Sequence, residues 1–199
     1  MKLNYFKKGI RVLGVAESFV RDFPSSVLAG VVMRGDFYID GISLSSATVG
    51  GMDATRGIIE LFKGLSRDDL NVIFINGSVI SWFNIIDLKY LAETIGVPMI
   101  SLSYKESDGL EEDIMGLFED WEDRLKIYRQ LGDRTRIKLH TGYEIFVRSY
   151  GLKKGDEKIL LDRFTLQGKV PEPLRTAKNV AKAVLKHDIA SHRKFYQFI

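Results

Sequence analysis

Apolar residues in the first third of the chain come in short blocks, not in helical stripes. Ile10-Arg11-Val12-Leu13-Gly14-Val15-Ala16 is one block and residues 26–33, with Val27, Leu28, Val31 and Val32, are another. Both have strand length, and a short apolar run bounded by turn signals fits a buried strand. Arg34-Gly35-Asp36 supplies turn chemistry. Alternation resumes from Phe37 to Leu44, which predicts a hairpin. Helical spacing takes over after Asp53, placed to cap a helix running to about Leu65 with Ile58, Ile59, Leu61, Phe62 and Leu65 on its apolar face. Residues 71–75 read as a fourth strand, apolar throughout as a parallel strand covered on both faces should be. A helix is predicted over Phe83–Ile95, ended by Gly96 with Pro98 beyond, and Met99–Ser103 reads as a fifth strand.

The second half is more polar. Residues 106–123 hold nine carboxylates and no base. Ile114, Phe118, Trp121, Leu125 and Tyr128 recur at helical spacing, which predicts one amphipathic helix with an acidic outer face. Glu144–Tyr150 reads as a strand closed by Gly151, and residues 155–166 as a helix. Pro171 and Pro173 open a last helix to about His187, with Leu174, Ala177, Ala181, Val184 and Leu185 inward. Three strands able to pair antiparallel, then helix, strand, helix, strand, is the order of a ribonuclease H-like α/β sheet, and a generic mixed α/β domain fits the pattern nearly as well. The chain is read as a single domain over residues 1–199.

Composition narrows the classes. The chain has no cysteine, which excludes disulfides and thiolate metal sites. No apolar run reaches the roughly 20 residues of a membrane span, and Met1–Lys8 lacks a signal peptide's apolar core. The expectation is a soluble, cytoplasmic protein. The net charge of +3 hides an asymmetry. Residues 1–123 carry 11 Lys and Arg against 19 Asp and Glu, net −8, and residues 124–199 carry 18 against 7, net +11. A basic half can attract phosphates, and two opposite halves can also satisfy each other. Lys178, Lys182 and Lys186 fall four apart on the last helix, so they form either a solvated face or a stripe for a phosphate backbone. The acidic segment 106–123 is a solvated face or a docking surface for a protein partner.

Two stretches carry a resemblance. Val72-Ile73-Phe74-Ile75-Asn76-Gly77 and Val170-Pro171-Glu172-Pro173-Leu174-Arg175-Thr176-Ala177-Lys178 resemble endonuclease V, a ribonuclease H-like nuclease acting beside deaminated purines. Gly14-Val15-Ala16-Glu17-Ser18, Gly51-Met52-Asp53-Ala54-Thr55 and Phe83-Asn84-Ile85-Ile86-Asp87 extend the likeness over the whole chain. The chain thereby resembles a largely archaeal family, domain of unknown function 99, a relative of endonuclease V. The resemblance implies an endonuclease V-like sheet: antiparallel strands 1–3, parallel strands 4–5 and flanking helices. It also implies carboxylates that hold Mg²⁺ or Mn²⁺ to activate water and stabilise charge on a phosphate.

The functional positions depart from endonuclease V one by one. Its first-strand acid follows a Gly-Val pair, but here Ala16 follows and Glu17 comes next. The helix acid falls near Thr55, with Asp53 the nearest carboxylate. The fourth-strand acid is Asn76, the Lys after the fifth strand aligns with Tyr104 beside Lys105, and the last-helix His or Asp is Lys178. The Pro-Tyr wedge has no counterpart. A one-residue shift on a strand turns a side chain to the other face, unless Glu17 lies past the strand end.

The site expected from these residues is Glu17, Asp53 and Asn76, with Glu17 and Asp53 as metal ligands, and Asp53 also serving as a cap. Asp87 is read within a helix. Arg148, Arg175, Lys178, Lys182 and Lys186 would contact a single-stranded or damaged nucleic acid. His140, His187 and His192 have no metal-binding spacing. Ser18 and Ser78 lack triad partners, and no nucleotide-binding glycine fingerprint is present. The leading expectation is a nucleic-acid-binding protein with a remodelled metal site. The alternatives are an active metal-dependent nuclease or phosphoesterase on the shifted acids, and a non-catalytic docking module.

Overall fold

A computed structural model describes residues 7 and 9–196, with side chains through residue 191. The side chain of His192 and most of the Met1–Lys8 stretch lie outside the described residues. Seven strands form one sheet in the order β3-β2-β1-β4-β7-β9-β8. β1 (Arg11–Ser18), β2 (Ser25–Arg34) and β3 (Ile39–Thr48) are the antiparallel meander. After α1 (Ala54–Gly64), β4 (Val72–Asn76) lies parallel to β1. A short hairpin, β5 (Val79–Ile80) with β6 (Asn84–Ile85), precedes α2 (Leu88–Ile95) and the parallel strand β7 (Met99–Ser103). α3 (Glu111–Leu117) and α4 (Trp121–Gln130) lead to β8 (Thr135–Lys138) and β9 (Glu144–Tyr150), with β9 antiparallel to β7. α5 (Asp156–Phe164) and α6 (Glu172–Tyr196) close the chain.

The mixed sheet with flanking helices is the expected ribonuclease H-like arrangement. Strand alternation divides it into two cores. Leu13, Val15, Leu28, Ile73 and Ile75 pack with Ile58 and Leu61 of α1 and Leu91 of α2. Val12, Phe74, Ile100 and Leu102 face the other way, against Leu160, Leu161 and Phe164 of α5 and Leu174 of α6. Ala16 and Val31 meet Ala177 on that second face, and Ala29 meets Ala181 and Leu185. Covering both faces is why β4 reads as an unbroken apolar run and why the middle of β1 is apolar.

The Pro-Glu-Pro stretch has a steric role. α6 crosses β1 so closely that a Cβ built on Gly14 would lie 2.5 Å from the Pro173 carbonyl carbon. Glycine at residue 14 therefore sets the depth at which the last helix docks.

Several expectations are corrected. The helix predicted from Phe83 starts at Leu88, capped by Asp87, whose carboxylate accepts the Tyr90 N–H at 2.9 Å. Ser81, Trp82 and Phe83 instead turn the β5–β6 hairpin. The acidic segment is two helices, because Phe118 leaves α3 in an extended conformation and packs against Trp82 and Phe83 with ring centroids 5.2 and 5.6 Å away. β8 was not expected, since only Ile137 of its four residues is buried. The Arg-Gly-Asp tripeptide is the hairpin turn it was read as, with Phe37 N–H donating to the Arg34 carbonyl at 2.8 Å. Among the described residues no helix is long and apolar enough to cross a membrane.

Gly14→Ala tests the docking of α6. The added methyl must push Pro173 or the strand away, so it should lower stability by about 1–3 kcal/mol. Urea unfolding should show a lower midpoint with an unchanged slope.

Candidate functional site

The C-terminal ends of β1, β4 and β7 lie side by side, where parallel α/β sheets place their ligand sites. Glu17 is one residue from the end of β1. It does not escape the strand's alternation: it pairs with Leu28, which belongs to the α1–α2 core. Ala16, at the expected acid position, faces Ala177 on the opposite side. The one-residue shift therefore moves the acid across the sheet.

The Glu17 side chain is 12% exposed. Its Oε2 is buried with no hydrogen-bond partner. Burial raises its pKa above the ordinary 4.5, against the opposing pull of the Lys178 ammonium and the Ser81 N–H. Lys178 reaches over from α6. Its Nζ donates to the Glu17 main-chain carbonyl at 2.5 Å and stands 3.9 Å from Oε1. An acid held toward its protonated form beside an ammonium is the kind of pair that proton-transfer sites use.

Asp53 stands at the N-cap position of α1 without capping it. Its Oδ1 accepts the Thr48 N–H at 2.9 Å and the Asn84 amide at 2.8 Å, and its Oδ2 accepts the Thr48 hydroxyl at 2.8 Å. Asn84, fully buried, takes over the cap, accepting the Ala54 N–H at 2.9 Å on Oδ1. These bonds lower the Asp53 pKa against the cost of its partial burial. Asp53 thus holds one end of a turn at Asn84, and Glu17 faces its other end at Ser81.

Asn76 lies elsewhere. It follows Phe74 by two residues, so it falls on the α5–α6 face, where it lines a cavity of about 510 Å³ with Tyr104, Tyr128 and Arg148. The three expected residues are therefore not brought to one point. Among the described residues no three His, Asp or Glu are grouped to hold a metal ion. The donor set does not fit the multi-carboxylate site that Mg²⁺ or Mn²⁺ occupies in ribonuclease H-like nucleases: Glu17 is one acid with an ammonium beside it, and Asp53 is committed to Thr48 and Asn84.

The expected basic stripe also divides. Lys182 and Lys186 are exposed, and Lys178 turns inward to Glu17. Arg175 bonds Glu172 and the carbonyls of Gln167 and Val170, holding the approach to α6. Arg148 donates to the Gly132 carbonyl at 2.8 Å. His140 and Asp162 interact at 3.5 Å near β8, and His187 is exposed.

The turn between Glu17 and Asp53 was missed in the sequence. Ser81, Trp82 and Phe83 have φ of 45°, 56° and 63°, three successive left-handed residues without a glycine. Such backbone persists only where surrounding contacts over-determine it, and it gathers at functional sites. Here the Ser81 hydroxyl donates to Ser26 Oγ at 2.7 Å, and its carbonyl accepts the Gly50 N–H at 2.8 Å. Buried Arg124 donates to the carbonyls of Gly50, Gly51 and Phe83, and its Nε to Asp120 at 2.7 Å. The Asp87–Tyr90 cap was the available signal that the helix starts later.

The sheet order and helix placement give an endonuclease V-like fold. Endonuclease V of Streptomyces avermitilis matches with a TM-score of 0.64 at 16% identity, over 92% of this chain and 84% of that one. A Ciona intestinalis endonuclease V bound to inosine-containing DNA matches at 0.59 and 15%, over 90% and 87%. A protein of unknown function from Archaeoglobus fulgidus matches at 0.75 and 25%, over 88% and 98%. Within that class the chain belongs to the family described as Endonuclease dU, whose model matches residues 8–185. A UPF0215 protein of Pyrobaculum calidifontis is 36% identical over 88% of this chain and 97% of its own length, and one of Methanopyrus kandleri is 30% identical over 96% and 99%. The archaeal, endonuclease V-like relationship expected from the sequence is thus established.

Burial of Glu17 predicts a pH signature. Its folded pKa lies above its unfolded one, so the native state binds the extra proton. The stability from that proton is complete below about 4.5 and is lost as pH rises through the folded pKa. Glu17→Gln should therefore be more stable than wild type at neutral pH, with the difference narrowing as pH falls toward 4.5. Thermal unfolding across that range checks it; a constant difference would contradict the burial of the charge.

Proposed function

We propose that this protein acts on DNA carrying a deaminated base, deoxyuridine first, and hydrolyses the strand beside it with Glu17 and Lys178. The observation that carries the reading is the buried, half-unpartnered Glu17 carboxyl beside the Lys178 ammonium at the end of the central strand. The family description, Endonuclease dU, supplies the substrate class.

Phosphodiester hydrolysis needs a proton taken from water, or given to the leaving oxygen, and compensation of charge on the phosphate. Glu17, raised toward neutrality by burial, suits the proton transfer. Lys178 is 45% exposed, so its ammonium can meet a phosphate while keeping its bond to the Glu17 carbonyl. Asp53, through Thr48 and Asn84, positions the turn whose Ser81 N–H faces Glu17. The exposed Lys182 and Lys186 continue from Lys178 along α6 and would add backbone contacts without reading sequence. No metal step is assigned to these residues, and metal dependence is a variable of the test.

End-labelled DNA and RNA, single- and double-stranded, with deoxyuridine, inosine or no lesion, are incubated with protein in Mg²⁺, Mn²⁺ or EDTA. The expected result is nicking beside deoxyuridine that drops on the order of 100-fold or more in Glu17→Gln and in Lys178→Ala. Binding should weaken steeply with salt, and Lys182→Ala with Lys186→Ala should reduce the logarithmic salt slope by about 2. Nicking unaffected by Glu17→Gln removes the assigned chemistry, and folded protein that neither nicks nor binds removes the reading altogether.

A further inference from the structure

The turn whose Ser81 N–H faces Glu17 also presents an indole, and the functional reading above leaves that indole unused. Trp82 is the tip of the left-handed run. Its two flanking residues are fixed: Ser81 through Ser26 and Gly50, Phe83 through its carbonyl on Arg124. Trp82 forms no backbone bond of that kind. Its ring lies over Gly50, where a Cβ would sit 2.8 Å from the indole, and it leans on Phe118 at 5.2 Å. Both neighbours hold the ring upright, and Gly50, itself at φ 73°, has no side chain to displace it.

The Arg21 guanidinium lies over the indole, 4.5 Å from the ring centroid. Arg21 belongs to the connection between β1 and β2, is exposed, and makes no hydrogen bond among the described residues. Phe19 and Val20 beside it are 37% and 43% exposed. A planar cation held over an indole at the surface is weakly bound, so another flat group can exchange with it. Strained backbone, a supported aromatic face, a displaceable planar cover and an acid facing the neighbouring Ser81 make a stacking platform.

We infer that Trp82 is a nucleobase-stacking residue: an unpaired base of the substrate strand replaces Arg21 on the indole, which sets the strand beside Glu17 and releases the guanidinium to a phosphate. This rests on the reading of the protein as one that acts on nucleic acid. It assigns a positioning residue and takes no part in the proton transfer.

The protein has a second tryptophan, Trp121, 37% exposed at the start of α4. Trp121→Phe leaves Trp82 as the sole indole emitter. That protein is titrated with single-stranded oligothymidylate in EDTA at low salt, following indole emission, while anisotropy of the same oligonucleotide, end-labelled, reports binding independently. Emission should be quenched in step with binding. Trp82→Ala should weaken binding roughly five-fold to a hundred-fold, and Trp82→Phe, which keeps an aromatic face on the same backbone, should restore most of it. Binding seen by anisotropy without quenching, or Trp82→Ala that binds like wild type, overturns the inference and leaves the functional reading standing. Absence of binding in the parent protein removes both.

Discussion

The buried Arg124 guanidinium is the constraint on which the site depends. It lies in a helix on the sheet's flank, 4% exposed, with its carbon 3.8 Å from the Phe118 ring centroid. Its donors reach three carbonyls from two separate loops, and Asp120 supplies the compensating charge. A guanidinium this far from water needs most of its five donors satisfied, and a planar fork can join several carbonyls at once. Because those carbonyls belong to Gly50, Gly51 and Phe83, the Gly-rich approach to α1 and the strained hairpin are locked to each other. Losing the guanidinium would leave half-buried carbonyls unpaired and the left-handed run without its outer anchor.

From that anchor the remaining geometry follows outward. Asn84, next to Phe83, turns in to cap α1 and to meet Asp53. Ser81, at the other end of the run, meets Glu17. The two acids that the sequence offered as joint metal ligands are therefore neighbours through a turn, each with a different duty. One is hydrogen-bonded into its charged form and braces the backbone. The other is buried, incompletely partnered and held toward its protonated form. Environments that push two carboxylates in opposite directions are a recurring way of dividing structural and chemical work.

The register of β1 explains how the site departs from the endonuclease V pattern. Alternation is strict within a paired strand, so moving the acid from residue 16 to residue 17 exchanges the α6 face for the α1–α2 face. On the vacated face Ala16 admits Ala177, and α6 settles against Gly14. Lys178 spans the strand end and brings a positive charge to the relocated acid.

The fold was largely legible in the sequence. The unbroken apolar run at β4 announced a strand covered on both faces, the short apolar blocks at β1 and β2 announced buried strands, and the Pro171–Lys178 stretch marked where the last helix begins. Those signals are local: side-chain period, proline and glycine placement, and residue order. The site was half legible. Glu17, Asp53 and Lys178 were recognisable as residues, but their duties also depend on distant partners, Asn84 31 positions from Asp53 and Lys178 161 from Glu17. Trp82 and Arg124 were hidden for a related reason. A left-handed run without glycine has no local preference behind it, and only long-range hydrogen bonds make that conformation stable. Sequence pattern determined the sheet and its helices, while tertiary contacts alone decided which acid is charged, which is buried, and where the indole stands.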